Sequence, residues 1–247
     1  MIKVELHSHT DADPEDAIGH SARQLVDRAT ALGYGALAIT LHDRHFNDGD
    51  VAEYARERGL TMIPAIERTV EGCHVLLVNF PSDAEQVATF DDIRALKQAH
   101  PSGLVIAPHP WFPLGRSLGG ARIDEHADLW DAIEINAFYT RAVDFNRTAR
   151  AWARRRGVPL VGNCDVHQLE QLGTTFSLVD VAPLSSPDAI CAAIRAGRVR
   201  VESQPLSHLK AARIATRAIL AGLTDRAWDE AGNRSLPRPG DVSPHQR

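Results

Sequence analysis

The 247-residue chain has only three cysteines, Cys73, Cys164 and Cys191, far apart and odd in number. No disulfide framework is readable from them, so a reducing compartment is the expectation. No apolar run approaches the roughly 20 residues that a membrane span needs. The opening Met-Ile-Lys-Val-Glu-Leu-His also lacks the apolar stretch of a signal peptide. A cytoplasmic protein with no membrane partner is the expectation from these absences. No Gly-x-Gly-x-x-Gly stands at a strand-to-helix turn and no Walker loop is present, which removes the commonest nucleotide-binding loops. A basic surface is missing too. The net charge is −5, and residues 194–247 carry ten Lys/Arg against five Asp/Glu, so residues 1–193 sit near −10. That sign disfavours nucleic acid as a partner. Bound divalent cations would offset it.

What is present is an alternation of short β-branched runs with amphipathic helical patterns. Strands are expected at 2–6, 36–40, 62–66, 75–80, 104–107, 132–135 and 159–162. Ser21, with Gln24 three residues on, signals a helix start that Gly33 ends. Further helices are expected from Asp50, over 90–100, over 143–156, after Ser186-Pro187, and from about Ser207 to Leu220. The pattern predicts an α/β protein with a mostly parallel sheet, and seven strands in about 180 residues suit a barrel. The texture changes after Val181. The division expected is a barrel over 1–181, a C-terminal helical segment over 182–231, and a flexible tail over 232–247.

Twelve histidines prompt a search for ligand spacing. His7-Ser8-His9 ends the first strand, and residues i and i+2 of a strand project to one face. Asp165-Val166-His167 repeats that geometry after the seventh strand. Thr40-Leu41-His42-Asp43 follows the second strand, Glu67 the third and His109 the fifth, while Glu134 lies inside the sixth. Chance does not place histidines and carboxylates at strand after strand on one rim, and the C-terminal rim of a (β/α) barrel is where active sites sit. His74 differs, since it leads into a strand.

In this order the residues resemble the PHP (polymerase and histidinol phosphatase) superfamily over about residues 3–180. The resemblance implies a distorted (β/α)7 TIM-like barrel with a C-terminal helical extension. It implies a metal-dependent phosphoesterase, using a metal-activated water held by two or three divalent ions of the Zn, Mn or Fe type. The implied ligands are His7, His9, Asp16, His42, Glu67, His74, His109, Asp165 and His167. Glu134 is a further ligand or a support behind one, and Asp165 or His42 moves the proton. Asp11, Asp13 and Asp16 all follow His9; Asp16 is preferred because it stands just ahead of the Ser21 cap. Leu41 and Asn163-Cys164 depart from the family pattern. The short stretch between His74 and His109 leaves no room for an inserted domain of the kind seen in nucleic-acid-cleaving members. The expected substrate is a small soluble phosphate ester, held by Arg116 and Arg141. The alternatives are an end-specific nuclease or oligonucleotide phosphodiesterase, and a non-catalytic metal-binding barrel. Trp111-Phe112 either wall an organic-substrate pocket or pack the core. Surface positions are expected for His20, His100, His126, His208 and His245.

Overall fold

In the computed structural model, which describes residues 1–113 and 116–216, helix ends follow the side chains that satisfy their first amides. Helix α1 (Ala22–Ala31) begins where the Ser21 hydroxyl accepts from Gln24 N while the Gln24 side chain returns to the Ser21 amide. Its inner face buries Leu25, Val26 and Ala29. Helix α2 (Gly49–Arg56) starts one residue before the expected Asp50, because the Asp48 carboxylate caps it through the Asp50 and Val51 amides. Helices α3 (Phe90–Ala99), α4 (Gly119–Glu125), α5 (Asn146–Arg156) and α6 (Pro187–Arg195) follow. Residues 208–216 are helical. The rest of the expected helix to Leu220, the remainder of the 182–231 segment and the 232–247 tail lie outside the described residues.

Among the described residues, ten strands form two five-stranded sheets. The first has the order β10 (Val199–Ser203), β9 (Thr175–Val179), β1 (Ile2–Glu5), β2 (Tyr34–Ala38), β3 (Thr61–Ile63). The second runs β4 (Ala65–Val70), β5 (Cys73–Val78), β6 (Leu104–Ala107), β7 (Ala132–Asn136), β8 (Leu160–Asn163). Both sheets are mixed, which corrects the expectation of mostly parallel pairing. The run 62–66 is two strands rather than one, because Pro64 has no amide to donate and breaks the ladder between β3 and β4. Strands β4 and β5 then form an antiparallel hairpin through Glu71-Gly72, both at positive φ, the backbone that a tight hairpin turn requires. His74 therefore stands within a strand. The segment after 182, expected to be helical, contains β10, which pairs antiparallel with β9 and so belongs to the first sheet.

No continuous ladder closes the two sheets into a seven-stranded ring among the described residues. They meet at one rim through isolated parallel bridges, Ser8 with Val166 and His42 with Glu67. One core lies between them, with Val4, Ala36 and Ile63 of the first sheet packed among Leu76, Ile106 and Val161 of the second. Trp152 of α5 and Phe90 of α3 fill a second core behind β5–β8.

Gly162 in β8 lets the sheets approach closely near their rim. A Cβ built there meets Val201 Cγ1 at 2.8 Å and the Phe176 carbonyl oxygen at 2.9 Å. The Ser177 hydroxyl also accepts from the Gly162 amide at 2.9 Å. Gly162→Ala is expected to destabilise the fold by about 1–3 kcal/mol through overpacking against backbone that cannot yield, read as a lowered midpoint in denaturant titration.

Candidate metal centre

The rim where the sheets meet gathers the residues singled out from the sequence. His7 and His9 extend from β1, and the chain there joins the far side through the His9 amide donating to the Val166 carbonyl at 3.0 Å. His42 follows β2 and is joined to β4 by the Asp43 amide donating to Glu67 O at 2.9 Å. His109 follows β6 and Asp165 follows β8, with φ of +29° and +51°. Non-glycine residues held in that region cluster at functional sites.

Glu67 is the hub. Its carboxylate is 1% exposed, and its two oxygens face different histidines. Oε2 lies 3.3 Å from His7 Nε2, 3.4 Å from His9 Nε2 and 3.2 Å from His42 Nε2. Oε1 lies 2.9 Å from His74 Nδ1 and 3.3 Å from His109 Nε2. Asp165 Oδ1 approaches His7 Nε2 at 3.3 Å and His9 Nε2 at 3.4 Å. Four overlapping triads have their donor atoms within 4.8 Å of one another: His7-His9-Asp165, His7-Glu67-His109, His9-Asp13-His42 and His42-Glu67-His74. Asp16 and His167 adjoin this group, with His167 Nε2 at 2.9 Å from Asp16 Oδ2 and His167 Nδ1 at 3.4 Å from Asp165 Oδ1.

The outer ring nitrogens are already committed. His7 Nδ1 donates to Glu134 Oε2 at 2.8 Å, and His9 Nδ1 to Asp13 Oδ2 at 2.8 Å. His42 Nδ1 lies 3.1 Å from both Asp13 oxygens. Carboxylates behind imidazoles fix ring orientation and leave Nε2 as the free donor atom. The Nε2 atoms of His7, His9 and His74 are buried with no hydrogen-bond partner. Buried polar atoms are seldom left that way. The orphaned Nε2 atoms of His7 and His9, each 3.3–3.4 Å from Glu67 and Asp165 oxygens, are what a cation would satisfy, so the donor set fits a divalent ion.

Charge follows from the same geometry. Burial opposes a proton on His42, but Asp13 and then Glu67 outweigh it and carry the pKa up to about 9. Burial likewise opposes charge on His167, and Asp16 with Asp165 raises it to about 9. Burial opposes ionisation of Glu67 and Asp165, yet the histidines, His7 foremost, hold both carboxyls well below the usual range. A cation entering this cluster displaces protons from the histidines.

One surface expectation is corrected. His20 is not at the surface; it is 5% exposed. The His45 ring is tied away from the cluster, with Nε2 donating to the Phe80 carbonyl at 2.9 Å. Cys164 is buried and its thiol donates to Thr175 O, as a packing residue would. Arg116 reaches Glu15 Oε1 and the Thr69 hydroxyl, each at 3.0 Å, and its carbonyl accepts from the His74 amide. No hydrogen bond or ion pair joins Arg141, which is exposed, to the cluster.

Supporting residues escaped the sequence reading. Glu5, wholly buried, accepts from the His7 amide at 3.2 Å and the Cys164 amide at 3.0 Å, and burial pushes its carboxyl up to about 8. Asn163 accepts from Leu6 N and donates to Glu134 Oε2 at 3.1 Å. Asn136 donates to Glu134 Oε1 at 3.0 Å and Asp165 Oδ2 at 3.3 Å. An acidic residue at Glu5, between the buried apolar Val4 and Leu6, was the one available signal.

Residues 144–199 match the family PHP_C, described as PHP-associated. No curated protein sequence matches the chain. Among solved structures, a two-domain protein from Bacteroides vulgatus, containing a predicted PHP-like metal-dependent phosphoesterase, is similar with a TM-score of 0.60 and 16% identity. The match covers 82% of this chain and 65% of that one, so the chain spans under two thirds of its length. PsfC from Pseudomonas syringae is similar with a TM-score of 0.62 and 14% identity, over 89% of this chain and 96% of that one. The lesion-specific endonuclease EndoQ from Pyrococcus furiosus is similar with a TM-score of 0.53 and 15% identity, over 81% of this chain and 57% of that one.

Proposed function

We propose that the chain is a PHP-superfamily metal-dependent phosphoesterase that hydrolyses a small soluble phosphate ester, a reading supported by the match of residues 144–199 to the PHP-associated family and by the fold shared with a PHP-like protein. The observation that carries this reading is Glu67, a buried carboxylate whose two oxygens face separate histidine sets. A structural metal site closes around about four ligands, and four overlapping triads exceed that need.

His7, His9, His42, Glu67, His74, His109 and Asp165 would hold the ions, with Asp16 and His167 at the edge of the same cluster. Imidazole and carboxylate together suit zinc, manganese or iron. Bound there, two or three such ions supply Lewis-acid stabilisation of phosphoryl charge and an acidified water. The chain's own groups set the rest. Glu134 and Asp13 hold the rings of His7, His9 and His42 so that Nε2 points inward. Asp165 presents Oδ1 to His7 and His9 and keeps Oδ2, steadied by Asn136, to accept a proton. With His42 Nδ1 committed to Asp13, its Nε2 is the atom that takes a cation or moves a proton. Arg116, half exposed and paired with Glu15, would exchange that carboxylate for a substrate phosphate. The charge near −10 over residues 1–193 supports a small ester over a nucleic acid. The short connection from β5 to β6 supports it too.

The test is release of alcohol or inorganic phosphate from a panel of mono- and diesters by protein supplied with manganese, against a chelator control. Chelator-sensitive release favouring small monoesters is expected. Preferential cleavage of oligonucleotides would shift the reading to a nuclease, and no release from folded, metal-loaded protein would overturn it.

A further inference from the structure

Two segments that flank the metal centre carry cations for which the hydrolytic machinery has no use. The first leaves β7 at Asn136, whose side chain reaches Asp165 Oδ2 at 3.3 Å, and passes through Arg141 into α5 with Arg147 and Arg150. The second leaves β10 and is tied to the loops that follow β7 and β8. Gln204 N donates to Thr174 O at 2.9 Å, and Leu206 N to Tyr139 O at 2.8 Å. Lys210 Nζ donates to the carbonyl of Glu170, in the loop just past His167, at 3.1 Å. The helical residues 208–216 therefore stand at the same rim, and Arg213 is exposed on them.

The charge of these segments is one-sided. Arg141, Arg147, Arg150, Lys210 and Arg213 face a single carboxylate, Asp144, within residues 137–150 and 204–216. Asp144 is shared by Arg147 at 3.9 Å and Arg150 at 3.3 Å. Among the described residues, Arg141 and Arg213 have no ion pair. Elsewhere on the rim each arginine near the cluster is matched: Arg68 by Asp43 at 2.6 Å and Arg116 by Glu15 at 3.0 Å. The excess is thus local, in a chain whose first 193 residues sit near −10. Packing does not explain it, because Arg141, Arg147 and Arg213 are exposed.

We infer that these two segments form an anion-gathering sector that steers phosphate esters to the metal centre and favours dianionic monoesters over monoanionic diesters. The inference rests on the phosphoesterase reading. The field acts before contact, and Coulomb attraction scales with the charge of the ligand. At pH 8 a monoester carries nearly two charges, since its second pKa is about 6, and a diester carries one. The gain falls on encounter and KM, leaves kcat alone, and is screened by salt.

The probes are 4-nitrophenyl phosphate and bis(4-nitrophenyl) phosphate at pH 8, with manganese-loaded protein. In about 20 mM salt, Arg141→Glu is expected to lower kcat/KM about fivefold for the monoester and about twofold for the diester, the size of a charge reversal acting across about half a Debye length of water. Arg213→Glu should do the same from the second segment. Arg155→Glu makes the same charge change about 13 Å along α5 from Asn146 and should have little effect. Salt at about 0.5 M should erase the losses. Losses that persist in high salt, that Arg155→Glu matches, or that are equal for the two esters overturn the inference and leave the phosphoesterase reading standing; so does cleavage of the diester alone. Cleavage of neither ester overturns the phosphoesterase reading. The sector is then judged by calorimetric titration of the manganese-loaded protein with inorganic phosphate at low salt. Weaker binding in Arg141→Glu than in Arg155→Glu supports it, and equal binding overturns it.

Discussion

Glu67→Gln is expected to cut hydrolysis by at least about a thousandfold, equivalent to roughly 4 kcal/mol of transition-state stabilisation, and to lower metal content with it. Glutamine matches the shape of glutamate but replaces one oxygen with an amide nitrogen. Whichever way the amide turns, one set of imidazoles, His7-His9-His42 or His74-His109, then faces a donor instead of an acceptor. The fold must be checked, because removing one member of a buried ionic group often costs about 3–5 kcal/mol. Near-ultraviolet circular dichroism serves for that. A folded Glu67→Gln protein retaining full metal content and turnover would remove Glu67 from the centre of the reaction.

The second large effect belongs to Asp13. One carboxylate holds both His9 and His42 through Nδ1, and its oxygens also accept the His42, Glu15 and Asp16 amides. Asp13→Ala should lower metal affinity by about 10–100-fold, the usual loss when the carboxylate behind a ligating histidine is removed. Asp13→Asn separates alignment from loop structure. Its remaining oxygen can still receive the Glu15 and Asp16 amides, but its NH2 group confronts the protonated faces of the rings. Titration of apo-protein with manganese should find both variants similarly weakened. An Asn variant that binds like the unaltered protein would show that Asp13 only shapes the loop.

Asp13 also illustrates what the sequence made legible. Histidines at period-two spacing on strand ends are visible in one dimension, because the strand itself sets which way side chains point. His7, His9, Asp165 and His167 were readable for that reason, and so was the capping of α1 by Ser21. Asp11, Asp13 and Asp16 lie in an irregular loop, where no period relates number to direction. Only the fold shows that Asp13 backs His9 and His42 while Asp16 meets His167. Sheet direction was equally hidden. An apolar run interrupted by Pro64 reads as one buried strand, and the antiparallel return of β5 depends on a turn whose Glu71 gives no strong signal. Strands β9 and β10 draw their stability from pairing with β1 and with each other, and such partners leave little trace in local composition.

The isolated bridges at the rim have a consequence for how the molecule is held together. Cys73, Cys164 and Cys191 are all free, so no disulfide joins the sheets, and the residues on either side of the meeting line are those that converge on Glu67. An ion shared between His9 of the first sheet and Asp165 of the second would act as a non-covalent rivet across the fold. Occupancy and conformational stability then become a single equilibrium: an ion at about one hundred times its dissociation constant contributes roughly 2.7 kcal/mol to resisting unfolding. Cellular supply of that ion would thus govern how long the chain survives as well as how fast it works.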